Sequence, residues 1–233
     1  MKEFLSQLGV DYESVNVSAQ PEAMDELRAL GVRSIPVVTR GRDYVFAQAL
    51  EDVSRFVGKE VRIERLPEDV LVRKWLHVLE AAQRHVMQIP HQRLGERATE
   101  GRDRSIRDLA YHVYQIPDAF LQAVEDGLPD LTAVFNAAPP ADVRTTGDIR
   151  AYGARVTEHL RRWSLGLQAW RGGTVNTYYG ERPLHELLER STWHSAQHVR
   201  QIIDVLERLG IAPDGPLTAD DYAGLPMPVG VWE

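Results

Sequence analysis

The hydrophobic pattern of the chain changes period at Pro67, and that change constrains the fold more than any other feature. Before it, short units alternate. Lys2 to Leu8 reads as a helix, Tyr12 to Val17 as a strand, Pro21 to Leu30 as a helix stopped at Gly31, and Ile35 to Arg40 as a strand. Gly41-Arg42-Asp43 is a turn leading to a strand from Tyr44 to Ala47, and Leu50 to Val57 is a helix ended by Gly58. After it, apolar residues recur at helical spacing over four long stretches: Glu68 to Ile89, Ser105 to Glu125, Thr146 to Trp170 and Pro183 to Leu209. Four helices of this length joined by Pro- and Gly-rich loops predict an antiparallel four-helix bundle. The expected fold is mainly α: a small α/β region at 1–60, a charged linker at 61–67, the bundle at 68–211, and an irregular tail at 212–233 laid over the surface. Ser105 and Asp108 fit a capping box loosely, Pro183 suits a first turn, and Gly210 suits a carboxyl end.

Composition removes several functions. The 34 acidic residues outnumber the 27 basic ones, giving a formal net charge of −7, and no basic run exists, so nucleic acid is not an expected partner. The chain has no cysteine, which removes disulfides, thiolate nucleophiles and thiolate metal ligands together. Any metal must be held by nitrogen and oxygen. No run approaches the ~18 apolar residues needed to span a bilayer, and no signal-length apolar run opens the chain. The expectation is a cytoplasmic protein with no membrane partner.

In the fourth helix, His194 and His198 are four residues apart and share a face. That is a metal-ligand spacing. A zinc protease would carry Glu directly after the first His, but Ser195 stands there, so that mechanism is not expected. His112 lies in the apolar face Leu109-Ala-Tyr-His-Val113, where a lone histidine is more often a satisfied core residue than a ligand.

The string Ser105 to Tyr114 resembles the second helix of DinB-like proteins. Glu186-Leu-Leu-Glu-Arg-Ser-Thr-Trp-His-Ser-Ala-Gln-His-Val-Arg-Gln-Ile202, followed by Leu206-Glu-Arg-Leu-Gly-Ile211, resembles their fourth. The resemblance implies a metal site of His112, His194 and His198. Three neutral imidazoles would leave zinc, nickel or iron with open positions, as in catalytic rather than structural sites. The implied activity is thiol-dependent transfer or isomerisation on an electrophilic small-molecule substrate, with a glutathione-type thiol as co-substrate. Metal-dependent hydrolysis is an alternative, as is a non-catalytic, dimeric metal-binding stress protein. His77 is a candidate second acid or base approaching from the first long helix, against the plainer reading of a partly exposed histidine. His85, His91, His159 and His185 are read as ordinary histidines, Tyr178, Tyr179 and Trp193 as pocket walls or packing, and Glu189 as a solvated charge.

Glu3 to Val17 and Glu26 to Val38 are similar to the glutaredoxin family beyond its catalytic turn. The resemblance implies a truncated thioredoxin-like fold in which Ile35-Pro36 is the cis-proline loop that faces glutathione. The family's first strand and Cys-x-x-Cys turn have no counterpart in this chain, so glutaredoxin redox catalysis is not expected of it. Gln48-Ala49 replaces a glycine pair, which weakens any inherited glutathione contact. The absent strand is central in that fold. Its place is expected to be closed by direct pairing, or filled by Val61 to Leu66, by Pro228 to Trp232, or by a partner chain. A packing or homodimerisation role for this region is preferred over thiol recognition.

Overall fold

The computed structural model describes residues 1–17, 20–61, 64–100, 103–128, 131, 134–135, 137–170, 172–177, 179–228 and 230–231. The chain divides into two compact units, Met1–Glu64 and Arg65–Glu233.

In the first unit, α1 (Lys2–Gln7) and α2 (Pro21–Ala29) precede a hairpin of β1 (Val37–Arg40) and β2 (Asp43–Phe46), followed by α3 (Leu50–Phe56). The hairpin is antiparallel, with Val37 opposite Phe46 and Arg40 opposite Asp43, and Gly41 supplies the positive φ of its turn. The bond between Ile35 and Pro36 is cis, as expected. Leu5, Val32 and Val53 are the buried apolar residues of this unit among those described.

The expected strand at Tyr12–Val17 does not form; these residues are irregular, and Tyr12 and Val15 are exposed. Alternation alone does not make a strand, because its backbone donors and acceptors need a neighbour. Among the described residues β1 pairs with β2 alone. Among the described residues the proposed closing segments supply no ladder. Val61 and residues 64–66 carry no strand, and residues 62 and 63 lie outside the described residues. The Pro228 and Gly230 carbonyls accept instead from Arg200 and Gln197 within the second unit, while residues 229 and 232 lie outside the described residues.

The second unit is built on α4 (Glu68–Gln88), α5 (Ile106–Glu125), α6 (Thr146–Leu165) and α7 (Leu184–Arg208). Each of α4 and α5 packs against both α6 and α7. Their apolar stripes meet in one core that includes Leu71, Trp75, Leu79, Leu109, Phe120, Ile149, Leu160, Leu188 and Ile202. Trp75 and Trp163 both meet the Phe120 ring edge-to-face, at 5.2 and 5.0 Å between centroids. Gly153 of α6 lies against the Tyr114 ring of α5, where a Cβ would fall 2.5 Å from the ring, so only glycine permits this approach.

Helix ends follow local chemistry. Ser105 Oγ accepts from the Asp108 amide at 3.0 Å, a single cap rather than the reciprocal box. The full box stands at α6: Thr145 Oγ1 accepts from the Asp148 amide, and Asp148 accepts from the Thr145 amide. The helix expected to reach Trp170 ends at Leu165. Gly166 caps it, and a 3₁₀ turn covers Leu167–Trp170. Before α7 comes a hairpin that the sequence reading lacked, β3 (Thr174–Thr177) with β4 (Gly180–Pro183), so Pro183 precedes the helix rather than opening it. The tail is not wholly irregular: α8 (Ala219–Tyr222) forms under a Thr218–Asp221 capping box and is held by Lys74 Nζ, which donates to the Asp220 and Asp221 carbonyls.

One polar relay crosses this core. Pro117 sits inside α5 and has no N–H for the Val113 carbonyl one turn earlier. That carbonyl accepts from Ser195 Oγ of α7 at 3.4 Å, and Ser195 Oγ accepts in turn from Trp75 Nε1 of α4 at 2.9 Å. Three helices are thereby joined at one level. Replacing Ser195→Ala should strand the buried indole N–H and destabilise the protein by about 1–3 kcal/mol, measured as a shift of the urea midpoint at unchanged slope.

Candidate metal centre

His112 is carried by the middle of α5, and His194 and His198 by successive turns of α7. The four-residue spacing puts the latter two on one face, and their Nε2 atoms are 3.1 Å apart. Ring centroids lie 4.9 Å apart for His112 and His198, 5.6 Å for His112 and His194, and 4.7 Å for His194 and His198. One ring nitrogen from each of the three falls within 4.8 Å of the others, which is the spacing of ligands around one ion.

Two glutamines orient the rings. His112 Nδ1 is 3.2 Å from Gln115 Oε1, and His198 Nδ1 is 2.6 Å from Gln201 Oε1. Gln115 is itself fixed, its amide donating to the Val134 and Ala137 carbonyls. A carboxamide oxygen only accepts, so each Nδ1 carries a proton, and in the neutral ring each Nε2 then presents a lone pair. That tautomer is the one a metal needs, and an outer partner on the far nitrogen is the usual support of a ligating histidine. Three neutral imidazoles turned together in a buried place repel one another unless a proton or a cation lies among their lone pairs. The donor set therefore fits a divalent cation.

His194 differs. Its Nδ1 is buried with no hydrogen-bond partner, and burial, followed by His198, Arg190, His112 and Arg104, holds its pKa well below the ordinary imidazole range. Gln197 stands three residues after it, but that amide donates to Gly230 and its oxygen accepts from Arg200. Sequence reasoning missed the supporting glutamines. The available signal was the repeated His-x-x-Gln at His112–Gln115 and His198–Gln201, an i, i+3 pair on one helical face.

Ser195 points away from the histidines to Trp75 and Val113. The position that holds Glu in zinc proteases is thus spent on packing. Phe135 covers the cluster, its ring 6.1 Å from both His112 and His194. Trp193 lies beside His194, at 5.8 Å, and Tyr179 stacks under Arg182; Tyr178 lies outside the described residues.

The structure does not bring His77 into this group. The ring is half-exposed and its Nε2 is 3.1 Å from Asp221 Oδ1 on α8. His159 similarly faces Glu125 at 2.8 Å. Glu189 is not a solvated charge. It is buried, 3.7 Å from Arg65 Nε, because it lies on the inward side of α7. His85 is fully buried in α4, and burial lowers its pKa from the ordinary 6.5. In the amino-terminal unit Ile35 is exposed, while the Pro36 carbonyl already accepts from the Ala47 amide. That acceptor of the glutathione-type loop is used by the hairpin.

Residues 1–45 match the family model described as Glutaredoxin. The amino-terminal region is therefore glutaredoxin-like. No curated protein and no solved structure matches the chain.

Gln201→Ala should weaken divalent-metal affinity by about 10–100-fold by freeing the His198 ring, read by competition with a chromophoric chelator. His85 gives a pH dependence with a defined sign. Its unfolded form protonates near 6.5 while the buried form resists, so its contribution is complete above that value and is lost as the pH falls. Unfolding free energies from about pH 7 to 5 should decline less steeply for His85→Leu than for the wild type.

Proposed function

We propose that residues 65–233 form an antiparallel bundle of the DinB-like type that holds one divalent ion, zinc, nickel or iron, at His112, His194 and His198. Its function on this reading is metal-dependent transfer or isomerisation, with a glutathione-type thiol acting on an electrophilic small molecule. The observation that carries it is the convergence of three imidazoles with glutamines setting the metal-binding tautomer of two. A cation there would act as a Lewis acid that lowers the pKa of a thiol or water. The chain supplies the rest. Gln115 and Gln201 hold the rings in place, Phe135 lies edge-to-face against His112, and among the described residues no carboxylate belongs to the histidine group. Held by neutral ligands, a divalent ion would keep its full charge and would pull more strongly on a sulfur or oxygen anion. The glutaredoxin-like region is consistent with glutathione chemistry, but with no cysteine in the chain its redox step is not available here.

Metal content by mass spectrometry on tag-free protein tests the site. About one ion per chain is expected for the wild type, with loss in His112→Ala and His198→Ala at preserved helical circular dichroism. Wild-type protein that takes up no divalent ion after reconstitution would overturn the reading. With cobalt bound, glutathione should add an intense sulfur charge-transfer band; hydrolysis without thiol is the reading favoured if it does not.

A further inference from the structure

Each histidine of the cluster is followed by a glutamine three residues later, but only two of the three pairs close. Gln115 follows His112, Gln201 follows His198, and Gln197 follows His194. The first two meet at 3.2 and 2.6 Å. The third does not, although α7 itself shows one turn later that a glutamine at this spacing reaches the ring. Gln197 is fully buried and engaged with the tail: its Nε2 donates to the Gly230 carbonyl at 3.4 Å, and its Oε1 accepts from Arg200 Nη1 at 3.2 Å. The same Arg200 nitrogen donates to the Pro228 carbonyl at 2.7 Å, so one guanidinium ties the tail to the carboxamide.

Proton placement shows what that carboxamide could supply. With the His198 proton on Nδ1, the neutral ring accepts at Nε2, and the 3.1 Å contact between the two Nε2 atoms then takes its hydrogen from His194. An ion held by all three rings replaces this hydrogen bond. Binding through His194 Nε2 moves that ring's proton to Nδ1, with no net change of charge. His194 Nδ1 is buried and has no hydrogen-bond partner among the described residues, so the metal-binding tautomer leaves a buried donor unsatisfied, which opposes binding. The acceptor at the matching position is Gln197 Oε1.

We propose that Gln197 is a third positioning residue, which on release accepts from His194 Nδ1–H, and that the bracket of Arg200, Pro228 and Gly230 withholds it, so that docking of the tail weakens the hold on the ion. The inference rests on the metal reading above and names how that same site is regulated. Three supported rings bind more tightly than two, because a partner on the far nitrogen fixes both tautomer and ring orientation. Linkage makes the effect reciprocal: what the docked tail takes from metal affinity, the bound ion takes from tail docking.

The test uses the full chain, with zinc affinity read by competition with a chromophoric chelator. Arg200→Met removes the bracket while keeping the side-chain stem, and should tighten zinc about tenfold, the scale of one outer partner of a ligating histidine. In a Gln197→Ala background the same substitution should give no gain, and comparing the two ratios separates the carboxamide from any general loosening of the tail. Nitrogen-15 spectra of histidine-labelled, zinc-loaded protein add a readout that a merely structural role would not move. Arg200→Met should show His194 Nδ1–H as a hydrogen-bonded signal beside those of His112 and His198, absent in the Arg200→Met/Gln197→Ala pair. If circular dichroism shows that Arg200→Met does not fold, a chain ended after Met227 takes its place in the same cycle. Zinc affinity unchanged by release of the bracket would overturn the proposal while leaving the metal site intact, as would a gain that survives Gln197→Ala. Failure to bind zinc at all would overturn the preceding reading and this one with it.

Discussion

The relay from the Trp75 indole through Ser195 to the Val113 carbonyl is the constraint on which the second unit depends. It exists because Pro117 cannot donate to Val113, leaving a buried carbonyl that must find a partner outside its own helix. Ser195 answers that need and simultaneously receives the indole N–H. The relay therefore fixes α4, α5 and α7 at one height. His112 is adjacent to Val113 and His194 is adjacent to Ser195, so the same contact that satisfies the core also registers the two helices that carry the imidazoles. Large apolar residues packed around it supply the bulk of the burial, but burial is nondirectional and does not by itself choose a register.

That register explains how three basic side chains come to face one another inside the protein. Neutral imidazole costs far less to bury than imidazolium, and burial is the first cause of the low pKa of His194. Gln115 and Gln201 complete the arrangement by accepting hydrogen bonds from the Nδ1–H groups of two rings. The third ring has no such partner on Nδ1, which leaves His194 the least constrained of the group.

The amino-terminal unit shows the opposite case, in which local pattern and tertiary context disagree. Residues 1–45 carry the glutaredoxin pattern, and the cis-proline step and the β1–β2 hairpin form as that pattern implies. Tyr12–Val17 does not become a strand, because no neighbour among the described residues offers it a ladder. A hairpin closes through its own turn and needs nothing else; a single strand beside a missing one has no such local route to hydrogen bonding.

By itself the sequence determined the mainly helical character of the chain after Pro67, the bounds of four long helices to within a turn except at Trp170, and the two histidine-bearing faces. These are matters of period, capping and chain-breaking residues, all local. It could not place His77 against Asp221, turn Glu189 inward toward Arg65, or show the β3–β4 hairpin, whose only local sign was alternation over Thr174–Thr177. It joined His112 to His194 and His198 only through the family resemblance, since spacing alone cannot link residues some eighty positions apart that meet when α5 packs on α7. Tertiary structure decided that meeting, because the contact that sets it, Ser195 to a carbonyl freed by Pro117, is a long-range hydrogen bond that no periodicity records.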